Sequence, residues 1–378
     1  MKKKFVSSAL TLILVSILLL STAVPVHAEP ALSAESAILM DADIGRVLYQ
    51  KNAFVRMPMA STTKIMTAIV AMELCDIKEI VTVSTQAVGI EGSSVYLYPE
   101  EKLTLEELIY ALLLESANDA ATAIAIHVAG SVDSFSALMN QKAEMLELTG
   151  THFANPHGLD HEEHYTTAYD LAKLTAYALK NEAFRRICGT VRKTIPLKGD
   201  EGTRVLINHN KMLSRYDGAI GVKTGFTKKS GRCLVSAAAR DGLTLIAVTL
   251  SAPDDWNDHT AMLDFGFDNY QSQPLADKDE CLRVLPVTGG TEEAVKASTE
   301  QSISAILKRG HGTITCRVEA PQILFAPIAK GQTVGRIIWL CDGREIASSP
   351  LVAMNDVAYK KAEKQGIIGW FLSLFHRE

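Results

Sequence analysis

The sequence lacks a surplus of positive charge. Its 38 Lys and Arg are outweighed by 43 Asp and Glu, for a formal charge of -5. No basic patch emerges along the chain, which removes nucleic acid from the candidate partners. Also absent are H-E-x-x-H and H-x-x-E-H, the helical spellings of a zinc peptidase. The six cysteines (Cys75, Cys188, Cys233, Cys281, Cys316 and Cys341) form no C-x-x-C and no regular framework. Six thiols allow 15 pairings and none is specified by spacing. Cys75 and Cys233 lie in apolar runs, where a small buried hydrophobe is the expected role. There are no internal repeats and no low-complexity stretches, so solenoids and tails are excluded as well.

What is present begins with an address. Lys2, Lys3 and Lys4 precede an apolar run from Leu12 to Leu20, and Val26-His27-Ala28 ends on a small residue. That is the layout of a cleaved export signal, expected over residues 1–28. Its removal takes away three lysines and no acids, moving the formal charge from -5 to -8. At the other end, Ile367, Trp370, Phe371, Leu374 and Phe375 share one face at helical spacing. The stretch is too short to span a bilayer, so residues 357–378 are expected to form an amphipathic helix lying on a membrane surface. These signals place the chain outside the cytoplasm, at the outer face of the membrane or in the cell wall.

Between the termini the length predicts two domains. Ala37–Met40 and Arg46–Tyr49 flank a turn and read as a hairpin. Ser61–Leu74 is apolar nearly all round, the mark of a buried central helix. Helices are also expected over Leu103–Glu115, where Thr104 and Glu107 spell a capping box, and over Ala120–Ala129 and Asp170–Lys180. Ala219–Val222 leads into Lys223-Thr224-Gly225. Cys233–Ala239 and Leu243–Leu250 then flank Arg240-Asp241-Gly242, a strong hairpin signal. From about Glu280 the texture becomes short β-rich runs: Leu282–Val287, Thr313–Val318, Val334–Leu340 and Leu351–Ala353. The expected fold class is α+β: an antiparallel sheet flanked by helices over 29–275, then a small all-β domain over 276–356. The joint is placed near Ser272–Asp279.

Three segments carry the chemistry: Ser61-Thr62-Thr63-Lys64, Ser116-Ala117-Asn118 and Lys223-Thr224-Gly225. Positions i and i+3 of a helix share a face, which sets the Lys64 amine beside the Ser61 hydroxyl. A lysine acts as a base only when neutral, and burial with a second cation nearby, such as Lys223, favours that form. A lysine on so apolar a helix is costly unless it is used. Ser116 supplies a second hydroxyl in a loop between helices, and Asn118 an amide able to hold a substrate carbonyl. Gly225 removes a side chain where a bound peptide would run alongside the strand. Together these are the parts of a serine acyl-transfer centre that needs no histidine.

The combination resembles the penicillin-recognising serine peptidases, whose signature is S-x-x-K, S-D-N and K-T-G. With Ala117 in the middle position, it is similar to the low-molecular-mass penicillin-binding proteins, the D-alanyl-D-alanine carboxypeptidases of family S11. Asn155-Pro156-His157-Gly158-Leu159, Tyr165-Thr166-Thr167-Ala168 and Gly231-Arg232-Cys233-Leu234-Val235 extend the likeness over roughly Glu35–Asn269. Lys330-Gly331-Gln332 and Val334-Gly335 extend it more weakly into the β domain. The resemblance implies a fold like that of the serine β-lactamases and penicillin-binding proteins. It also implies removal of the terminal D-alanine from peptidoglycan pentapeptides, covalent inhibition by β-lactams, and no cofactor or metal. Ser61 becomes the nucleophile, Lys64 its base and Ser116 a proton relay. Asn118, Lys223, Thr224 and Gly225 bind substrate, and the backbone N–H groups of Ser61 and Phe226 form the oxyanion hole. Some relatives hold the substrate carboxylate with an arginine on the strand after Lys-Thr-Gly. Leu250–Asp258 offers none.

Two rival activities remain in view. His157, His161 and His164, with Asp160, Glu162 and Glu163, are dense enough to suggest a zinc peptidase, although Pro156 and Gly158 favour a loop there. A class A-like β-lactamase would share the acylation parts but has no use for a second β domain or a tail anchor.

Overall fold

The computed structural model describes residues 29–198 and 201–361, so the export segment and the chain beyond residue 361 lie outside the described residues. The chain divides into two compact units, Met1–Gln271 and Ser272–Glu378.

The first unit is built on a five-stranded antiparallel sheet. The hairpin of β1 (Ser36–Asp41) and β2 (Val47–Lys51) forms, and Asp41 Oδ1 ties its turn by accepting from the Ile44 N–H at 2.8 Å. Next along the chain come α1 (Lys64–Leu74), α2 (Leu105–Leu114), α3 (Asn118–Ala129), α4 (Val132–Met145) and α5 (Ala168–Ala178). Then follow β3 (Ala219–Thr227), β4 (Gly231–Arg240), β5 (Leu243–Leu250) and α6 (Asp255–Asn269). The sheet order is β2-β1-β5-β4-β3, which puts the strand bearing Lys223 at one edge. Asp241 and Gly242 both have positive φ (49° and 75°), the two-residue turn that matches strand twist. The capping box is realised: Thr104 Oγ1 accepts from the Glu107 N–H, and the Glu107 carboxylate accepts from the Thr104 N–H.

Helix α1 is buried as its composition demands, from Lys64 through Ala71. Its start differs from expectation. Ser61 sits not in the helix but in a 3-10 turn, Ala60–Thr63, that feeds it. Thr62 and Thr63 turn their hydroxyls back onto the carbonyls of Met59 and Ala60, which tightens the turn. Helices α4 and α6, which are poor in apolar residues, were not anticipated. Gly266 lets α6 approach the sheet, since a Cβ there would lie 2.4 Å from Leu245 Cδ1.

The second unit is all-β. Its six-stranded sheet takes the order 314–319, 333–341, 344–353, 294–298, 283–288 and 324–325, with Val295, Ala297, Ile337, Trp339 and Leu351 in the core. The strand Tyr270–Ala276 runs across the point of division, beside the joint expected near Ser272–Asp279. One detail corrects the sequence reading. Val357 and Tyr359 bridge to Ile328 and Gly290, so they are β structure and not the start of the amphipathic helix. All six cysteines are free thiols.

Candidate active site

The three sequence segments converge. The Lys64 amine, fully buried, donates to Ser61 Oγ at 3.0 Å, to Asn118 Oδ1 at 2.7 Å and to the carbonyl of His157 at 2.5 Å. Three oxygens surround the amine, so it is oriented as well as buried. Burial is the main force pushing Lys64 well below the usual lysine pKa; the neighbouring Lys223 charge adds to it and Asp119 opposes it. Lys223 is itself buried and pushed down to about 7 by desolvation, with its amine donating to the carbonyl of Thr224 at 2.8 Å.

A cleft of about 360 Å³ opens over these groups. Ser61, Ser93, Ser116, Thr224, Gly225 and Phe226 line it near the nucleophile. Ser116 has φ of 60°, the left-handed geometry that aims its side chain from the end of α2 into the cleft before α3 begins.

Two expected roles change with the geometry. Asn118 is the first residue of α3, and its amide is committed to the protein: Oδ1 accepts from Lys64, and Nδ2 donates to the carbonyl of Glu91 at 2.5 Å. It holds the Lys64 amine rather than standing free for a substrate carbonyl. Gly225 is small for a different neighbour than a bound peptide. A Cβ there would lie 3.0 Å from Ser61 N and 3.1 Å from Ala60 Cβ, so strand β3 packs directly on the Ala60–Thr63 turn. Gly158 also packs on this turn, with φ of 92° and a would-be Cβ 2.0 Å from the carbonyl of Ala60.

Several contributors were not singled out in the sequence. Asp119, buried at the start of α3, accepts from Ser94 Oγ and from the N–H groups of Val95 and Leu97, fixing the 91–97 loop over Asn118. His209 and Lys211 line the cleft, and His209 pairs with Glu115 at 3.2 Å. Arg232 is the most informative. It lies opposite Phe226 across the β3–β4 ladder and lines the same cleft. Its Nη2 contacts Asp255 Oδ1 at 2.9 Å, and it stacks over Trp256 at 5.7 Å. Its buried Nε has no acceptor among the described residues. Only the hairpin register brings it there, so no motif search for a cation after β5 would find it.

The family profile described as D-alanyl-D-alanine carboxypeptidase, Peptidase_S11, matches residues 23–254. The chain is a family S11 D-alanyl-D-alanine carboxypeptidase. A second profile, the penicillin-binding protein 5 C-terminal domain, matches 270–359. DacF of Bacillus subtilis is 36% identical over 344 residues, 88% of each chain. DacC of Escherichia coli is 33% identical over 87% of this chain and 85% of its own. The carboxypeptidase of Streptomyces sp. K15 is 36% identical over 63% of this chain, which is 89% of that protein. Penicillin-binding protein 5 from Haemophilus influenzae superposes with a TM-score of 0.75 at 28% identity, covering 88% of this chain and 99% of its own.

As an S11 carboxypeptidase the protein acts on cell-wall peptidoglycan, and neither rival activity is favoured. In the histidine cluster, His164 Nε2 is bonded to Thr63 Oγ1 at 2.7 Å and its Nδ1 accepts from the Ala154 N–H at 3.0 Å. Burial pushes both His157 and His164 down to about 3, so both rings are neutral scaffolding around the Ala60–Lys64 segment.

Proposed function

We propose that Ser61 carries the acyl group in this carboxypeptidase and that the chain works as follows. The substrate lies along β3 with its terminal carboxylate at Thr224 and Arg232. Lys64, neutral, takes the Ser61 proton as Oγ attacks the penultimate D-alanine carbonyl. The backbone N–H groups of Ser61 and Phe226 hold the oxyanion, each such donor being worth about 2.7–4 kcal/mol of barrier. The C–N bond breaks, and the proton passes from Lys64 through Ser116 to the departing D-alanine nitrogen. Water then attacks the acyl-enzyme by the same route, giving its proton to Lys64 and releasing the shortened peptide with Ser61 restored. A β-lactam acylates Ser61 identically but keeps its leaving nitrogen tethered.

The single observation behind this reading is the buried, three-way bonded Lys64 amine at 3.0 Å from the Ser61 hydroxyl. Fluorescent penicillin should label the chain at Ser61, and Ser61→Ala should lose both label and D-alanine release while retaining the fold. Label on any other residue overturns the assignment.

The finer reading of location rests on the terminal sequences. Residues 1–28 direct export, and the apolar face from Ile367 to Phe375 holds the enzyme to the membrane surface. Deleting Lys360–Glu378 is expected to release activity into the soluble fraction; activity that stays with membranes refutes the anchor.

A further inference from the structure

A second cluster of chemically active side chains lies away from the cleft. Cys75 caps the C-terminal end of α1, Glu79 follows in the next turn, and His127 stands in the last turn of α3. One ligand atom from each lies within 4.8 Å of the other two. We propose that Cys75, Glu79 and His127 bind one divalent cation of the zinc class, with a fourth position open to water.

The donor set suits that ion. A thiolate, an imidazole and a carboxylate are the three side chains zinc takes, and together they bring two negative charges to a divalent ion. The distances suit it too. His127 Nε2 and Glu79 Oε2 are 3.3 Å apart. That is about the edge of a tetrahedron with bonds of ~2.0–2.1 Å. The Cys75 sulfur lies within 4.8 Å of both. The ligands are also held. Glu79 Oε1 accepts from the Asp76 N–H at 3.0 Å, which orients its other oxygen toward His127. The turn itself is clamped: the Glu79 carbonyl accepts from the Leu105 N–H at 2.9 Å and the Ile77 carbonyl from the Glu106 N–H at 2.8 Å. Cys75 is half-buried, while the side chains of Glu79 and His127 are 47% and 23% exposed, so an ion can enter from solvent.

The position gives the site a consequence. Helices α1 and α3 carry Lys64 and Asn118 at their first residues, where the 2.7 Å contact orients the base. Cys75 and His127 stand toward the opposite ends, about 14–17 Å away at 1.5 Å per residue. An ion there ties the two active-site helices together at the ends remote from the chemistry.

The test uses the full chain, reduced and stripped with chelator, titrated with zinc against a chromophoric chelator and separately with cobalt. One equivalent of zinc is expected, with a thiolate-to-cobalt charge-transfer band. Affinity should fall at least about 10-fold in Cys75→Ser and in His127→Asn, and the band should vanish in Cys75→Ser. Zinc should protect Cys75, but not the exposed Cys281 and Cys316, from a thiol reagent. Zinc should also raise the melting temperature of the parent and not of Cys75→Ser. Penicillin labelling of each variant verifies that it is folded. No saturable equivalent, or unchanged affinity and an unchanged band in folded Cys75→Ser, overturns the proposal.

Discussion

Lys64 shows how a single residue concentrates the chemistry. Burial, and after it the Lys223 charge, holds its amine well below the usual lysine pKa, with Asp119 opposing. The acid limb of the acylation rate against pH should therefore report loss of the Lys64 proton, with rate rising as pH rises through its depressed pKa. Replacing Lys223 by Met removes the second cation, so that limb should move to higher pH; stopped-flow acylation by a chromogenic penicillin measures it, and an unmoved limb contradicts the coupling. Arg232 makes a separate claim at this scale. Its guanidinium is planar and bidentate, which lysine is not. Arg232→Ala should raise KM for D-Ala-D-Ala peptides about 10-fold or more with a smaller change in kcat, and Arg232→Lys should recover only part of it. Equal loss in both parameters would place Arg232 elsewhere in the reaction. The Ser61, Lys64 and Lys223 positions were legible because three spellings coincide in one chain. Arg232 was not, because its place depends on its pairing opposite Phe226 and on a partner, Asp255, that begins a helix with no clear sequence signal.

Among elements, the Ala60–Thr63 turn is packed against two residues without side chains. Strand β3 approaches through Gly225 and the 154–165 loop through Gly158. Gly225→Ala forces a few tenths of an ångström at Ser61 N, so acylation should fall by 10-fold or more while the melting temperature changes little. Gly158→Ala meets backbone at 2.0 Å and requires positive φ of 92°, so it should destabilise the protein outright, by several kcal/mol. Thermal unfolding of both variants separates the two cases, and equal stability of Gly158→Ala with the parent would contradict the packing argument. Helices α1, α2, α3 and α5 were readable within a few residues because they are rich in apolar residues, with a capping box on α2 as well. The α1 start was not, because Ser, Thr and Thr can bond their own backbone and so wind the entry into a 3-10 turn. Helix α6, from Asp255 to Asn269, mixes Asp, Asn and His with few apolar residues, and only its seat on the sheet makes it a helix.

For the whole molecule, two fully buried lysines are a stability cost taken on for function. Lys223 has its pKa lowered from 10.5 to about 7 in the folded protein. Between those values the unfolded chain binds the extra proton, so stability rises with pH across that window, and below about 7 the cost is full. Lys223→Met should accordingly be more stable than the parent, by the largest margin below pH 7 and by progressively less toward pH 10; denaturant titrations at several pH values check this. The division of the chain between Gln271 and Ser272, with the K15 relative matching only 63% of this chain, leads to another expectation. A chain ending at Gln271 should still be acylated by penicillin, and its inability to label would make the β unit part of the catalytic fold. The sequence by itself determined the α+β class, the all-β second unit and the serine acyl-transfer chemistry, because hydrophobic period, turn chemistry and short catalytic spellings are local properties. Only the tertiary structure decided that Asn118 holds the Lys64 amine, that Gly225 yields to the Ala60–Thr63 turn and that Arg232 enters the cleft. Those facts depend on which distant segments share a few ångströms of space, and no local pattern encodes that.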